Sequence, residues 1–421
     1  MIEKNVSEIV FREDLYPRIN TSVEAVQKYA EDLSVLPPIE VNQHNEIIDG
    51  WHRWTAHRKA GAEIISVIVT ETVSDSQFLE LAIERNATHG LQLSQSDKRD
   101  MARRIYHVTP EKDRDEKKKH LAKILSVSDR TVREWLSRID KDAKADRDKR
   151  IFDLWMQCWT NLEIAEAVGG ISEEGVRLKT QEMADLPKLG KSNQAAAEHA
   201  TDFDVPIYNV WKQQSKSDGS KHFGNSEVKW LDNLLYLYTK PFDIVIDPFA
   251  GGGSTLDLCK KRFRRCWVSD RKPIVERAKE IREHDIVNGL PPLPRWKDVG
   301  LVYLDPPYWK QAAGHYSEDA EDLANMSLEQ FNASLSSLIT DFSKKLSGAY
   351  IALIIQPTQW KAPDRQFVDH VGDMLRLVNL PVDMRFSAPY ESQQCNAQMV
   401  EWAKENKRCL VLTREIVVWR V

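Results

Sequence analysis

The chain has 421 residues and a net charge of −5 at neutral pH. Such a length calls for two or three cores, and the acidic balance excludes a globally basic polyanion binder, leaving room only for a local basic patch. The five cysteines (Cys158, Cys259, Cys266, Cys395, Cys409) form no C-x-x-C pair, and no signal peptide or long apolar run is present, so no metal site, no disulfide framework and no membrane span are expected, and the reading is cytoplasmic.

Residues 1–92 read as mixed α/β. "PPIEVNQHNEIIDGWHRWTAHRKAGAEIISVIV" runs strand, turn, strand, a helix from about Gly50 to Ala60, then strand. It resembles the ParB/sulfiredoxin-like domain, whose Gly-x-x-Arg helix start binds nucleotide phosphates. Here that start is Gly50-Trp51-His52-Arg53. Trp51 stands where sulfiredoxins place their reactive cysteine, so the resemblance does not extend to sulfinate reduction. The resemblance implies an anion or nucleotide site of Gly50, His52 and Arg53; a purely structural docking domain is the alternative.

Residues 93–190 read as helical and heavily charged. "HLAKILSVSDRTVREWLSRI" matches a helix-turn-helix with its turn at Ser126-Val127-Ser128 and a second helix presenting Arg130, Thr131 and Arg133. Residues 95–150 hold 18 Lys/Arg against 12 Asp/Glu, a local positive excess that supports DNA contact. A second unit, Thr160–Gln181, has a capping-box pattern at Thr160/Glu163. Its second helix begins Glu173-Glu174, which repels phosphates, so it is read as packing or forming a homodimer. "PKLGKSNQAAAEHATD", residues 187–202, reads as a linker.

From 203 onward strands alternate with helices. "PFDIVIDPFAGGGSTLDLC" is a strand, an acid (Asp247), a glycine cluster and a helix start, and such a turn lets a ligand approach the backbone. A strand at Cys266–Val268 ends in Asp270, 19 residues after Gly251, where doubly wound folds place an acid on a ribose diol. A helix is expected before Asp285. "GLVYLDPPYW" is then a buried strand that must leave the sheet at Asp305, because Pro306 and Pro307 have no N–H for a ladder. A helix at about 328–346 and the strand "AYIALIIQ" come next. "CLVLTREIVVWRV" reads as two strands joined at Arg414-Glu415. The expected fold is α/β: a Rossmann-like, mostly parallel sheet with a terminal antiparallel hairpin, preceded by a small α/β domain (1–92) and a helical region (93–190).

"DPFAGGGST" and "DPPYW" resemble the cofactor and catalytic motifs of the amino-methylating, S-adenosylmethionine-dependent DNA methyltransferases, and the resemblance covers about 203–421. "HFGNSEVKWLDNLL" is similar to the segment that holds the methionine end of the cofactor there. The resemblance implies S-adenosylmethionine as cofactor and DNA as partner. It assigns Asp247, Phe249, Ala250, Gly251, Gly252, Gly253, Asp270, Asp285, His222 and Asn225 to the cofactor. It assigns Asp305, Pro306, Pro307 and Tyr308 to catalysis. An Asp at the first tetrapeptide position favours adenine N6 in this family, with cytosine N4 the alternative. Chemically, a carboxylate and a carbonyl can accept the two N–H bonds of an exocyclic amine and free its lone pair, and an aromatic ring can stack a flipped base. A ParB-like DNA-binding regulator with a non-catalytic cofactor domain is the competing class.

Overall fold

The computed structural model describes residues 1–17, 22–88, 93–212, 227–293, 295–311, 313, 322–390 and 395–421. The chain divides into two compact units, Met1–Arg147 and Asp148–Val421.

The first unit begins with a four-stranded sheet. Its strands are β1 (Ile2–Asn5), β2 (Ile39–Val41), β3 (Ile47–Asp49) and β4 (Ile64–Val69), in the order β1-β4-β2-β3. Two helices belong to this layer, α1 (Val23–Glu31) and α2 (Trp51–Lys59). Alternation along the strands puts Ile39, Val41, Ile47, Ile65 and Val67 in a core with Trp54 of α2. Helices α3 (Asp75–Thr88), α4 (Gln95–His107), α5 (Arg114–Ile124) and α6 (Asp129–Met156) come after it in the chain. Leu121 and Leu125 pack with Val132 and Leu136 across the α5–α6 turn, while Met101 and Ile105 close the cluster from α4. Ser126 takes a left-handed φ of 51° there, and the Ser128 hydroxyl caps α6 by accepting from the Thr131 N–H at 3.1 Å. Two helices thus flank a turn at Ser126–Ser128, but α6 runs on past Ile139, to 28 residues in all, and the division between units falls inside it.

In the second unit the short helices α7 (Asn161–Val168), α8 (Glu173–Met183) and α9 (Lys191–Ala197) precede α10 (Val228–Tyr238). The capping box of Thr160 and Glu163 forms as expected. Then come β5 (Ile244–Asp247), α11 (Ser254–Lys261), β6 (Arg265–Asp270), β7 (Arg282–Glu283), β8 (Val299–Leu304) and α12 (Leu328–Ser343). The chain continues through β9 (Tyr350–Ile355), α13 (His370–Leu377), β10 (Val382–Pro389), α14 (Ala397–Glu405) and β11 (Thr413–Arg420). The seven strands lie in the order β10-β11-β9-β8-β5-β6-β7. All run parallel except β11, which is antiparallel to both β9 and β10. The sheet is buried on both faces. Ile244, Ile246, Val302, Leu304, Ile351 and Leu353 meet Phe331, Leu335 and Ile339 of α12. The alternate residues Val245, Leu301, Tyr303 and Ala352 meet Trp230, Leu234 and Leu256. Each buried Val, Leu, Ile or Phe side chain among them contributes roughly 1.5–3 kcal/mol by leaving water.

Three sequence expectations change. No α-helix separates Asp270 from Asp285; a single 3-10 turn (Val275–Arg277) and the two-residue β7 fill that span. The terminal segment is one strand, not two. Arg414 and Glu415 lie inside β11, and its hairpin partner is β10, with α14 between them. A buried β11 needs an antiparallel neighbour on each side, which a turn at Arg414 would forbid. The expected linker is ordered and packed. Its carbonyls at Ala196 and Ala197 accept from Arg262 and Arg264, and its His199 lies 3.0 Å from Asp232. Small residues there let the backbone approach two buried guanidinium groups, so the composition reflects close packing. No helix among the described residues is long and apolar enough to cross a membrane.

Arg262 is fully buried and forms a bidentate pair with Asp232, at 2.8 and 2.7 Å, and a third contact with Asp202 at 2.9 Å. Burial alone would raise the Asp232 carboxyl, yet the bonds from His199 and Arg262 hold it down to about 2. Asp232→Ala leaves a buried cation with one remaining carboxylate, so it should cost roughly 3 kcal/mol. Urea denaturation of the full chain checks this; an unchanged midpoint would show that the segment is not held through Arg262.

Candidate active site

The chain leaves β5 toward β6 and β7 on one side of the sheet and returns through β8 on the other. The carboxyl ends of β5 and β8 therefore meet where the strand order reverses, the place where open α/β sheets form a crevice. Asp247 ends β5, and Asp305 comes directly after β8.

Asp247 is buried, at 2% exposure, and both its oxygens are engaged. Oδ1 accepts from the Phe249 N–H at 2.9 Å, and Oδ2 accepts from the Thr255 hydroxyl at 2.6 Å. Burial lifts its carboxyl to about 7, aided by the nearby charges of Asp305 and Asp270 and opposed by those two hydrogen bonds. Its role in this geometry is to tie the start of the glycine loop to the first turn of α11. The loop is held from the other side too. The Ala250 N–H bonds the Ser269 carbonyl at 2.9 Å, and the Gly251 N–H bonds Asp270 Oδ2 at 3.0 Å. Gly253 has φ 85°, a left-handed backbone that strains any other residue, and the Arg277 side chain packs against it.

Asp270 is half-buried at the end of β6, and its second oxygen accepts from the Lys272 N–H at 2.9 Å. Each oxygen thus has one backbone donor and a further lone pair, an acceptor set that fits the hydroxyls of a ribose diol. Asp285 accepts from the Val287 N–H at 3.1 Å and pairs with Arg271 at 3.2 Å. Phe249 and Gly252 lie in the same loop. His222 and Asn225 lie outside the described residues.

The tetrapeptide is anchored by the tryptophan next in the chain. Trp309 is buried, and its indole N–H bonds the Met326 carbonyl at 2.9 Å. Asp305 and Tyr308 are half-buried, and the Tyr308 hydroxyl donates to Asp305 Oδ1 at 3.1 Å. Among the described residues none donates a hydrogen bond to the Pro306 carbonyl. Tyr308 also lines a pocket of about 290 Å³ with Gln356, Trp360, Tyr390 and Arg414. The pocket wall is locally fixed: Gln356 Nε2 donates to the Tyr390 hydroxyl at 2.7 Å, which donates to the Val411 carbonyl at 3.1 Å. These pocket residues come from segments after β9, after β10 and at the start of β11. Sequence reading missed all of them, because no local motif marks a wall assembled from three strand ends.

The residues read as an anion site are engaged within their own unit. Arg53 reaches Asp49 at 2.6 Å and the Pro37 and Pro38 carbonyls at 3.0 and 2.7 Å. His52 is buried and accepts from the Ser22 N–H at 3.1 Å. Gly50 has φ 105°, and a Cβ there would meet Ile39 at 2.5 Å. In α6, Arg130 and Arg133 are exposed and pair with Glu134 and Asp129 one turn away, while Thr131 bonds Ser128.

A crevice at a strand-order reversal, a stapled glycine loop and an Asp-Pro-Pro-Tyr turn beside a polar-aromatic pocket define a methyltransferase-type α/β domain. Two protein families match parts of the chain. The DNA methylase family, of N6/N4 type, matches residues 91–279, and the ParB N-terminal domain matches residues 8–87. Residues 8–87 thus match a ParB N-terminal domain, and residues 91–279 match the N6/N4 DNA methylase family. The matched methylase span stops short of Asp305, so the tetrapeptide is an independent observation. The transcriptional regulator NovG of Streptomyces niveus is 34% identical over 94 residues, which is 22% of this chain and 29% of that protein. The chain therefore spans under a third of that relative. Among solved structures, a SAM-dependent methyltransferase from Archaeoglobus fulgidus has a TM-score of 0.29 at 14% identity, over 46% of this chain and 95% of that one. The chromosome-partitioning protein ParB from Caulobacter crescentus, complexed to the centromeric parS site, has a TM-score of 0.24 at 18% identity, over 43% of this chain and 90% of that one.

A carboxyl whose folded value is raised stabilises the fold at low pH and loses that contribution as pH rises through the folded value. For Asp247 the window runs from about 4, the ordinary unfolded value, to about 7. Asp247→Asn lacks this titration, so the stability gap between wild type and variant should narrow as pH rises from 5 to 8. Thermal melts across that range test it, and a constant gap would mean Asp247 is ionised throughout.

Proposed function

We propose that this protein is a DNA methyltransferase that uses S-adenosylmethionine to methylate an exocyclic base nitrogen, adenine N6 preferred. The observation that carries the reading is the pairing of Asp305, at the end of the strand next to the one that ends in the stapled glycine loop, with Tyr308, which lines a pocket. Asp270 would hold the ribose hydroxyls, and the Phe249–Gly253 backbone would line the methionine side. S-adenosylmethionine, when bound, supplies an electrophilic methyl group.

The chain's own groups do the rest. The amine of a base is a poor nucleophile because its lone pair is delocalised into the ring. The Asp305 carboxylate and the Pro306 carbonyl accept its two N–H bonds and turn the lone pair out of that conjugation. The two prolines hold the carbonyl's direction, so little reorganisation is left for the reacting state. The Tyr308 ring offers a stacking face, worth roughly 1–3 kcal/mol, which offsets part of the cost of removing a base from the duplex. The buried Trp309 keeps the turn from moving when the base enters.

Asp305→Ala should bind S-adenosylmethionine as wild type does and lose at least about 100-fold in turnover. Asp270→Ala should instead weaken cofactor binding by roughly 1.5–3 kcal/mol. Calorimetry and a methyl-transfer assay on duplex DNA separate the two, and full-rate methylation by Asp305→Ala would remove the mechanism.

DNA affinity and site choice would come largely from the basic helix-turn-helix. The pairs made by Arg130 and Arg133 are exposed and worth little, so phosphates or base edges can displace their carboxylate partners. Replacing both arginines with alanine should weaken DNA binding and flatten its dependence on log salt concentration by about 0.9 per lost phosphate contact. An unchanged slope would place the DNA-reading surface elsewhere.

A regulator without turnover is the second reading, favoured by the likeness to NovG. The Asp305→Ala assay decides between them, since a regulator methylates DNA in neither form.

A further inference from the structure

Arg414 is the residue of the crevice that no motif announces. It lies near the start of β11, opposite Ala388 of β10, in a strand separated from β8 by β9. Its guanidinium carbon is 5.2 Å from the centre of the Tyr308 ring and 5.7 Å from that of the buried Trp230. Both distances are within cation–π range, and a planar guanidinium suits the space between two rings better than an ammonium does. The Tyr308 hydroxyl in turn reaches Asp305. A chain of contacts thus runs from the Trp230 ring through Arg414 and Tyr308 to the carboxylate.

The electrostatic setting gives this chain a use. Three carboxylates, Asp247, Asp270 and Asp305, stand at the carboxyl ends of three adjacent strands. Below about pH 7 Asp247 is largely protonated and carries little charge toward its neighbours; only an ionised Asp305 offers both oxygens as acceptors, which gives a nearby fixed cation a use. Tyr390 beyond β10 and Cys395 line the same pocket, while Tyr303 of β8 is buried in the core nearby. Lys361 lines the pocket too, but it is exposed, and Lys310 is bonded to the Asn325 carbonyl. Arg414 is half-buried within the crevice, and water screens it less than a surface lysine. Burial would lower its own proton affinity, yet Tyr308, Asp305, Tyr390 and Tyr303 raise it, so it is held as a cation there.

We propose that Arg414 is a positioning residue for methyl transfer, clamping the Tyr308 ring in place and supplying the fixed positive charge beside the Asp305–Tyr308 pair. The inference rests on the reading of Asp305 as the acceptor of the base amine. It separates two properties of one side chain, its flat shape and its charge.

The test uses the full-length chain with Arg414→Met and Arg414→Lys, single-turnover methylation of duplex DNA from pH 5 to 9, and calorimetry with S-adenosylmethionine as the check on folding. Losing the cation raises the pH at which Asp305 ionises, so activity in Arg414→Met should fall off on the acid side at a pH about one unit higher than in wild type. The plateau rate should drop as well, because Tyr308 is no longer clamped. Arg414→Lys keeps the charge and loses the flat stacking surface; its plateau should drop while its acid limb stays with wild type. An acid limb in Arg414→Met that coincides with wild type would overturn the proposal, whatever the loss of rate, and so would a shifted limb in Arg414→Lys. If Arg414→Met does not bind cofactor, the lysine variant alone carries the decision. Wild-type turnover in Asp305→Ala would instead sink the underlying reading, which keeps the two failures distinct.

Discussion

The crevice depends on one buried carboxylate. Asp247 ends β5, an inner strand of the sheet, and commits both oxygens to the loop after it, one to the Phe249 N–H and one to the Thr255 hydroxyl. A glycine-rich loop has more backbone freedom to lose on folding than any other segment of its length. Here that freedom is removed by four hydrogen bonds: two to Asp247, one to the Ser269 carbonyl and one to Asp270. The result is a turn whose backbone N–H groups and whose Asp270 carboxylate hold their directions before any ligand arrives, which is what tight recognition of a flexible cofactor requires. The cost is a carboxyl held where it is reluctant to ionise.

The same logic, fixed groups supported by groups behind them, recurs across the crevice. Trp309 buries its ring and bonds Met326, so the Asp-Pro-Pro-Tyr turn cannot drift from the end of β8. Tyr390 holds Gln356, and Val411 holds Tyr390, so the pocket wall has little freedom of its own. Behind α10 and α11, the Asp232–Arg262 pair and the carbonyls on Arg264 lock residues 196–202 against the domain. Burying two arginines is expensive, and the structure offsets that cost by giving Arg262 two carboxylates and Arg264 several backbone and side-chain oxygens. A segment that composition marks as loose is therefore part of the domain's frame.

The two halves differ in how they use their conspicuous residues. In the methyltransferase domain Asp305 and Tyr308 are half-buried at a crevice, where a substrate can reach them. In the ParB-like domain the equally conspicuous Arg53 is bonded to Asp49 and two proline carbonyls, and Gly50 is needed because Ile39 leaves no room for a Cβ. Motifs of the same apparent rank thus have different surroundings in the two domains. Only the partners of each side chain tell them apart.

What the sequence determined by itself is the set of local signals. Alternating and continuous apolar runs placed β5, β8 and β9, the turn residues placed the helix-turn-helix at Ser126–Ser128, and two prolines placed the exit from the sheet at Asp305. These depend on neighbours a few residues apart, and a linear reading reaches them. The terminal strand shows the limit. Arg414-Glu415 looks like a turn because both residues are charged, but Glu415 bonds Ser387 and Arg385 of β10, and Arg414 lies between two aromatic rings. Their partners are about 30 to 180 residues away along the chain, so their charges carry no local signal of burial. Tertiary structure alone decided that Asp247 serves the loop, that Arg264 and Arg262 hold the supposed linker, and that Tyr308, Gln356, Tyr390 and Arg414 share one pocket. The physical reason is common to all of them. A charge or polar group can be buried only where its partner already waits, and that place is set by how the strands are ordered in the sheet, which no short window of sequence contains.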